Sequence, residues 1–191
     1  MIARVIAAAI AVAGFPIAAP SETYQIDSQH SVIGFNVHQF FLGTSGRFRQ
    51  FSGTIRFDRD HPEHSSVSAR IEVLSIDTRN ESRDNHLRSA EFFDAARFPA
   101  ITFRSRAVKQ TGPQTADVTG DLTMHGVSKS IVLHIKMLGQ PTTAESRWEV
   151  TTDPIDRRDF RLTFSGATEA VSGVGRDVAT KIEIAAVRFD R

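Results

Sequence analysis

The stretch that decides the fold is VTGDLTMHGVSKSIVLHIKM, residues 118–137. Its apolar residues recur at every second position on either side of His125-Gly126, a pair that signals a turn. They are Val118, Leu122 and Met124 before the turn, and Ile131, Leu133, Ile135 and Met137 after it. A period of two is that of a β-strand with one apolar and one polar face. The stretch therefore predicts two strands that each turn one face toward a core.

The same alternation extends outward from this stretch in both directions, over segments rich in Phe, Ile and Val. The repeating residues are Ile33, Phe35 and Val37; Phe51, Ile55 and Phe57; Val67, Ala69, Ile71 and Val73; Ile101 and Phe103; Trp148 and Val150; Leu162 and Phe164; and Ile182 and Ile184. Turn signals separate the runs, among them Gly43-Thr-Ser-Gly46 and Gly139-Gln-Pro141. Many short strands at this spacing predict an all-β fold, a sandwich or a barrel.

One segment interrupts the pattern. Between Thr78 and Arg97 the period is lost, and Thr78-Arg-Asn-Glu81 has the form of a capping box, which predicts that a short helix begins at Thr78. The helix should end before Pro99, because the residue that precedes a proline is pushed toward extended geometry. We therefore predict one helical insertion near residues 78–97 in a single domain, since no internal repeat or linker divides the chain.

The first residues have the layout of a secretory signal peptide. One positive charge at Arg4 precedes the apolar run 5–13, and small residues follow around Ala18 and Ala19. The apolar run is shorter than the roughly 18 to 20 residues of a spanning helix. We predict a signal peptide over residues 1–21, cut between Ala13 and Ser21, and an exported domain over residues 22–191 with no stable membrane insertion after cleavage.

Composition excludes several kinds of protein. The chain has no cysteine, so disulfides, thiolate metal sites and cysteine nucleophiles are absent. A net charge of +1 supplies no basic field for nucleic acid, which we do not expect as a partner. His61-Pro-Glu-His64 places two histidines in a charged turn, but the spacing does not fit a zinc pair on a helix, so no metal or cofactor is predicted. His38 and His134 lie opposite the apolar residues of their strands and should be exposed.

No residue stands out as catalytic. Ser45 lies in Gly-Thr-Ser-Gly without the strand-to-helix setting of a nucleophile elbow, and we interpret it as a turn residue. Arg157, Arg158 and Arg161 surround Phe160 and are interpreted as outward residues of a strand. The alternative is that one of these arginines contacts an anionic head group at the mouth of a barrel.

The interior of a barrel of about eight strands is either filled by its own side chains or left open for one ligand, and periodicity leaves both outcomes open. If the interior is open, alternation assigns its lining. The predicted lining residues are Phe35, Val37, Phe57, Ile71, Phe103, Leu122, Leu133, Ile135, Trp148 and Phe164.

Five segments carry a further signal: Tyr24-Gln-Ile-Asp27 with His30-Ser-Val32, Asn85-His-Leu-Arg-Ser-Ala-Glu-Phe-Phe-Asp94, Phe98-Pro-Ala-Ile-Thr-Phe103, Gly120-Asp-Leu-Thr-Met-His-Gly-Val127, and Ile155-Asp-Arg-Arg-Asp-Phe160. Taken in order and at their spacing, they resemble the YceI-like family of periplasmic polyisoprenoid-binding proteins along nearly the whole exported domain. One departure is Arg161, at a place where the family commonly has glycine.

The resemblance implies a single antiparallel, lipocalin-like β-barrel, a periplasmic or secreted location, and no catalytic residues. The expected partner is a long-chain isoprenoid or related lipid, held in an apolar tunnel for storage, transport or sequestration. A first alternative is an enzyme acting on a lipid or quinone-like molecule, with His30, His86 or His125 as acid–base groups. A second is a filled barrel that serves a membrane redox or stress system. The sequence leaves open whether the protein forms a homodimer.

Overall fold

The computed structural model describes residues 21–39, 42–138, 144–164 and 173–189. The predicted signal peptide falls almost entirely outside these residues, as does the turn predicted at 139–141. The strands are β1 Glu22–Ile26, β2 Val32–Gln39, β3 Leu42–Phe48, β4 Phe51–Phe57, β5 Ser66–Glu72, β6 Ile76–Asp77, β7 Ala100–Gly112, β8 Thr115–Met124, β9 Val127–Met137, β10 Glu145–Thr152, β11 Ile155–Asp156 and β12 Val174–Arg188. The helix α1 spans Glu81–Arg88, and single 3-10 turns lie at Pro62–His64, Val73–Ser75 and Arg157–Phe160.

Eight strands close into an antiparallel barrel in the order β1-β4-β5-β7-β8-β9-β10-β12. The barrel closes where β1 pairs with β12, with Tyr24 opposite Arg188. The all-β barrel predicted from the alternating pattern is confirmed. The quoted stretch forms the β8–β9 hairpin, in which Met124 pairs with Val127 across the predicted turn.

Strand β12 is long enough to pair with different strands along its two halves. Its second half pairs with β10 and β1, whereas its first half pairs with β2, which continues into β3 and β6. The inward residues of β12 therefore mark positions along the barrel axis. Ile184 lies opposite Trp148, Ile182 opposite Val150, and Val178 opposite Ile155 at the other end.

The turn predicted at Gly43-Thr-Ser-Gly46 is wrong, because these residues lie within strand β3. Glycine at 46 makes room for an aromatic ring instead of shaping a turn. A Cβ at Gly46 would sit 2.3 Å from Cζ of Phe35, so no other residue fits without moving that ring. Ser45 is consequently an exposed strand residue, and its hydroxyl accepts a hydrogen bond of 2.9 Å from the Asn36 amide.

The helix forms within the predicted segment but begins later than expected. Asn80 is its N-cap, and its side chain accepts a hydrogen bond of 3.0 Å from the backbone N–H of Arg83. Thr78 is buried before the helix, and both its backbone N–H and its hydroxyl donate to Oδ1 of Asp84. The prediction that the helix begins at Thr78 is therefore wrong, because Asn80 and not Thr78 caps the helix. The helix ends at Arg88, well before Pro99.

The strand predicted at Leu162 and Phe164 is also wrong. Residues 157–160 form a 3-10 turn that ends at Arg161, whose φ of 60° lies in the left-handed region that favours glycine. The position at which glycine was expected thus keeps a backbone that suits glycine. Leu162 and Phe164 follow in irregular chain, and their side chains still point into the barrel.

Candidate ligand-binding cavity

A cavity of about 540 Å³ occupies the barrel interior. Its size falls within the range of about 300 to 1,000 Å³ that small-molecule sites span. The barrel is therefore open inside, and the alternative of a filled core is wrong for this chain.

The cavity wall is mostly aliphatic and aromatic, and nine of the ten residues predicted to line it do so. These are Phe35, Val37, Ile71, Phe103, Leu122, Leu133, Ile135, Trp148 and Phe164. Phe57 is the exception, since it is the last residue of β4 and pairs with Glu22 at the end of the barrel. There it packs against the cluster around Tyr24, and the Arg59 guanidinium lies 5.9 Å from its ring.

One end of the cavity, which we call the floor, is made by Trp148 and Ile184 and backed by Tyr24. The Tyr24 and Trp148 rings meet edge to face with centroids 5.7 Å apart. The Tyr24 hydroxyl donates a 2.6 Å hydrogen bond to Glu22. Burial, followed by this hydrogen bond, raises the pKa of Tyr24 to about 12. The floor therefore presents no charge to the cavity.

Midway along β12 the wall becomes mildly polar. Thr152 and Thr180 face the cavity, and their hydroxyls lie 3.1 Å apart. One hydroxyl donates to the other, so this pair presents less unpaired polar surface to an apolar chain than two separate hydroxyls would.

The opposite end of the cavity, which we call the cationic end, carries Arg83, His86 and Arg157. Arg83 and His86 are three residues apart on α1 and so lie on the same face of the helix. The His86 ring stacks on Phe164 at 5.8 Å, and the Arg157 guanidinium lies 5.3 Å from the same ring. Within the described part of the chain, no aspartate or glutamate lines the cavity. The ionisable groups that the described residues place on the wall are therefore all basic.

The interpretation of Arg157, Arg158 and Arg161 as outward residues of a strand is wrong for Arg157. It is 3% exposed, and it donates to the carbonyls of Leu162, Val174 and Gly175 at distances of 2.6, 3.2 and 3.1 Å. These bonds tie the irregular chain to the start of β12. An alternating pattern cannot reveal such a role, because the arginine lies on a 3-10 turn and bonds to carbonyls distant in sequence.

Arg158 and Arg161, by contrast, are exposed. Arg158 pairs with Asp156 at 3.3 Å. Burial tends to raise the pKa of Asp156, but the hydrogen bonds from Arg158 outweigh it, so the pKa lies below its ordinary value.

Arg83 is held in place by Thr78. Its Nε and Nη2 donate to the hydroxyl and carbonyl oxygens of Thr78 at 2.8 and 3.0 Å. The neighbouring Asp77 fixes this segment to β3 by accepting from the backbone N–H of Arg79 and from the side chains of Arg49 and Arg47. These contacts, the Arg79 N–H first, lower the pKa of Asp77 to about 2.

Of the three histidines considered as acid–base groups, only His86 lies on the cavity wall. Its Nδ1 lies 3.3 Å from Glu91, whose side chain is 78% exposed and off the wall. His30 pairs with Asp27 at a surface turn, at 2.6 Å, and Nδ1 of His125 lies 3.2 Å from the Phe160 carbonyl oxygen. The described residues thus contain no pair of an inward histidine and an inward carboxylate.

The remaining histidines lie outside the cavity. His38 and His134 are exposed, as predicted, and His134 pairs with Asp117 at 2.8 Å. The described residues contain no group of three or more His, Asp or Glu side chains arranged to hold a metal ion. They also contain no helix with the length and apolar character needed to cross a membrane.

Comparison with sequence families and curated proteins gives one consistent result. Residues 24–186 match the family model described as the YceI-like domain. Protein YceI of Salmonella newport is 38% identical over 146 residues, which cover 73% of this chain and 76% of that protein. A protein of Ectopseudomonas mendocina is 41% identical over 120 residues, 61% of this chain, and the match spans 63% of that protein's length.

Solved structures share the fold. BcnA of Burkholderia cenocepacia superposes with a TM-score of 0.77 at 25% identity, covering 84% of this chain and 98% of that one. A polyisoprenoid binding domain from Saccharophagus degradans superposes with a TM-score of 0.68 at 18% identity, covering 87% of this chain and 98% of that one. At that identity the second likeness establishes the fold alone.

Proposed function

This chain belongs to the YceI-like family, and we propose that it is an exported protein that holds a long-chain isoprenoid or similar amphiphilic lipid inside its barrel. The observation that carries the proposal is the open cavity of about 540 Å³ with its apolar wall. The Saccharophagus degradans protein of similar fold, described as a polyisoprenoid binding domain, supports the choice of ligand class.

The energetics of such a site are favourable. Burial of one methylene contributes roughly 0.8 kcal/mol, so about twenty buried carbons give a gross term near 16 kcal/mol. Ordering the chain and immobilising the ligand offset a large part of this term. Affinities in the micromolar range or tighter therefore need no specific polar contact along the wall. Along the apolar wall, selection among lipids would act on the length and shape of the chain.

The proposed location outside the cytoplasm rests on residues 1–21, with their single positive charge, apolar run and small residues. N-terminal sequencing of the protein from its native host tests this. We expect a start between residues 14 and 22 in the periplasmic or secreted fraction. An intact Met1 on cytoplasmic protein would contradict it.

We propose binding without catalysis. An acid–base mechanism needs two groups of suited pKa near the reacting atoms. His86 is the histidine available on the wall, and its carboxylate neighbour Glu91 is turned toward solvent. The wall provides space and apolar contacts for a ligand. Among the described residues on the wall, no base is paired with a nucleophile.

Mass spectrometry of organic extracts from natively purified protein, prepared without detergent, tests the proposed function. We expect one class of lipid with a long apolar chain, at close to one molecule per protein. A heat-denatured sample processed in parallel controls for carry-over of membrane lipid. Extracts from the native protein that hold no more lipid than this control would overturn the proposal.

A further inference from the structure

We propose that the cationic end of the cavity receives the acidic oxygen-bearing head group of the lipid, a phosphate or a carboxylate, while the apolar chain extends toward the floor. This inference rests on the proposed function and adds the chemical class and the direction of the ligand. It starts from the distribution of charge on the wall, where Arg83, His86 and Arg157 share one end and the described residues contribute no carboxylate.

Arg83 is the main donor. A guanidinium has five N–H groups in a planar fork, and Thr78 accepts from two of its nitrogens. Among the described residues, Arg83 takes part in no ion pair. The contacts with Thr78 also fix its orientation, so little side-chain entropy would be lost when an anion binds.

His86 and Arg157 support this donor in different ways. The His86 ring is held flat against Phe164, and its Nδ1 edge lies toward Glu91. The N–H groups of Arg157 are directed at the carbonyls of Leu162, Val174 and Gly175. Arg157 therefore contributes positive potential near the site, whereas Arg83 offers N–H groups to the ligand.

The free energy of burying an anion differs between the two ends of the cavity. Burying an ionised oxygen acid without a partner is strongly unfavourable, and the described residues at the floor, among them Trp148 and Ile184, carry no charge. Charge-assisted hydrogen bonds to a guanidinium offset this unfavourable free energy. The planar fork of the guanidinium also matches the arrangement of oxygens in a phosphate or a carboxylate. An acidic amphiphile therefore has one favourable direction in this cavity.

The first test compares three ligands with the same C20 prenyl chain, which end in an alcohol, a carboxylate and a monophosphate. Each displaces a fluorescent isoprenoid from lipid-stripped full-length protein. We expect the phosphate and the carboxylate to bind at least about 10-fold more tightly than the alcohol, which corresponds to about one charge-assisted hydrogen bond. The ratio of phosphate to carboxylate identifies which acid the site prefers.

The variant Arg83→Gln should remove most of this preference, measured as the ratio of the acid affinity to the alcohol affinity within the same protein. The matched control is Arg104→Gln, which removes the same charge from the outer face of β7. An acid preference that is equal in wild type and Arg83→Gln, or that is absent from wild type while the alcohol still binds, would overturn the head-group site and leave the proposed function intact. Failure of all three ligands to bind would overturn both.

The second test needs no variant and uses Trp148, the only tryptophan of the chain, which lies at the floor. Stearic acid labelled with a nitroxide near the methyl end should quench Trp148 fluorescence strongly, and the same acid labelled near the carboxylate should quench it weakly. Equal quenching, or stronger quenching by the carboxylate-end label, would contradict the proposed direction.

Discussion

The floor and the cationic end close the same cavity by different means. At the floor, regular strands hold Trp148 and Ile184 in register, and Tyr24 packs behind them through ring contacts. At the cationic end, a short helix and a 3-10 turn are held by side chains, chiefly Arg157 and Arg83, that bond to main-chain carbonyls and to Thr78. One end depends on apolar packing within a ladder, and the other depends on a few polar contacts across irregular chain.

This difference locates stability and selectivity in separate places. The floor is built like an ordinary core and should respond to loss of volume. The cationic end should respond to loss of individual donors, because each one satisfies a buried carbonyl. Four variants test this division, beginning with the largest expected effect.

Trp148→Ala should cause the largest loss of stability. Removing a buried tryptophan typically costs about 3 to 5 kcal/mol, and here it also removes the ring contact with Tyr24. Urea unfolding of lipid-stripped protein measures the change. The control is Glu149→Ala, the exposed neighbour on β10, which should stay within about 0.5 kcal/mol of wild type. If both variants lost the same stability, the floor would not be a packed core.

Arg157→Met should cost about 3 kcal/mol, because one buried and two partly buried carbonyls lose their donor at roughly 1 kcal/mol each. Arg158→Met alters an exposed ion pair on the same 3-10 turn and should cost less than about 1 kcal/mol. Amide hydrogen exchange should increase at the start of β12 in the first variant and not in the second. Unchanged exchange in Arg157→Met would show that this arginine does not hold the cationic end together.

Leu122→Trp should separate binding from stability in the middle of the cavity. The larger ring takes the space of about two methylenes of the lipid, roughly 1.6 kcal/mol at about 0.8 kcal/mol each, or about 10-fold in affinity. Thermal unfolding of lipid-stripped protein should change little, since the added atoms enter open space. Stripping is essential, because bound lipid itself raises the melting temperature.

The matched control is Thr119→Trp, which places the same bulk on the outer face of β8 and should leave binding unaltered. A destabilisation of 1 to 3 kcal/mol in Leu122→Trp, of the kind that overpacking causes, together with normal lipid binding, would mean that Leu122 faces a filled core.

Asp77→Asn should have the smallest effect, at most about 1 kcal/mol at neutral pH, because the partner arginines are exposed. The pKa of Asp77 is lowered from 3.8 to about 2 in the folded protein. Its stabilising contribution is therefore complete above about pH 4 and is lost as the pH falls through about 2. The difference in stability between variant and wild type should shrink over that interval. The control Asp60→Asn removes a carboxylate from an exposed loop and should stay within about 0.5 kcal/mol of wild type at neutral pH.

Much of the fold and of the cavity wall could be predicted from the sequence. The alternation of large apolar residues identified seven of the eight barrel strands, all but β1, and assigned nine wall residues, because a period of two directly reports which face a strand residue occupies. The prediction that Phe57 lines the cavity is wrong, because alternation gives the face of the strand and not the position along the barrel axis. Phe57 lies at the rim of the barrel.

The cationic end could not be predicted in the same way. Arg157 depends on carbonyls 5, 17 and 18 residues away, and Arg83 points into the cavity from a helix whose start was misplaced by three residues. The turn predicted at Gly46 is wrong because glycine occurs both in tight turns and where an aromatic ring approaches the backbone closely. Only the position of Phe35 distinguishes the two cases. Charge placement across irregular segments follows from tertiary structure, which local patterns do not encode.

The central claim, that the cavity encloses an apolar chain, is tested most directly by NMR with methyl-labelled protein and an unlabelled C20 prenyl lipid. We expect intermolecular NOEs from the lipid chain to the methyl groups of Leu122, Ile135 and Ile184, which line the cavity, and none to Leu74, which is 62% exposed on the surface. NOEs confined to exposed methyls such as Leu74, with none to the three cavity residues, would contradict the account.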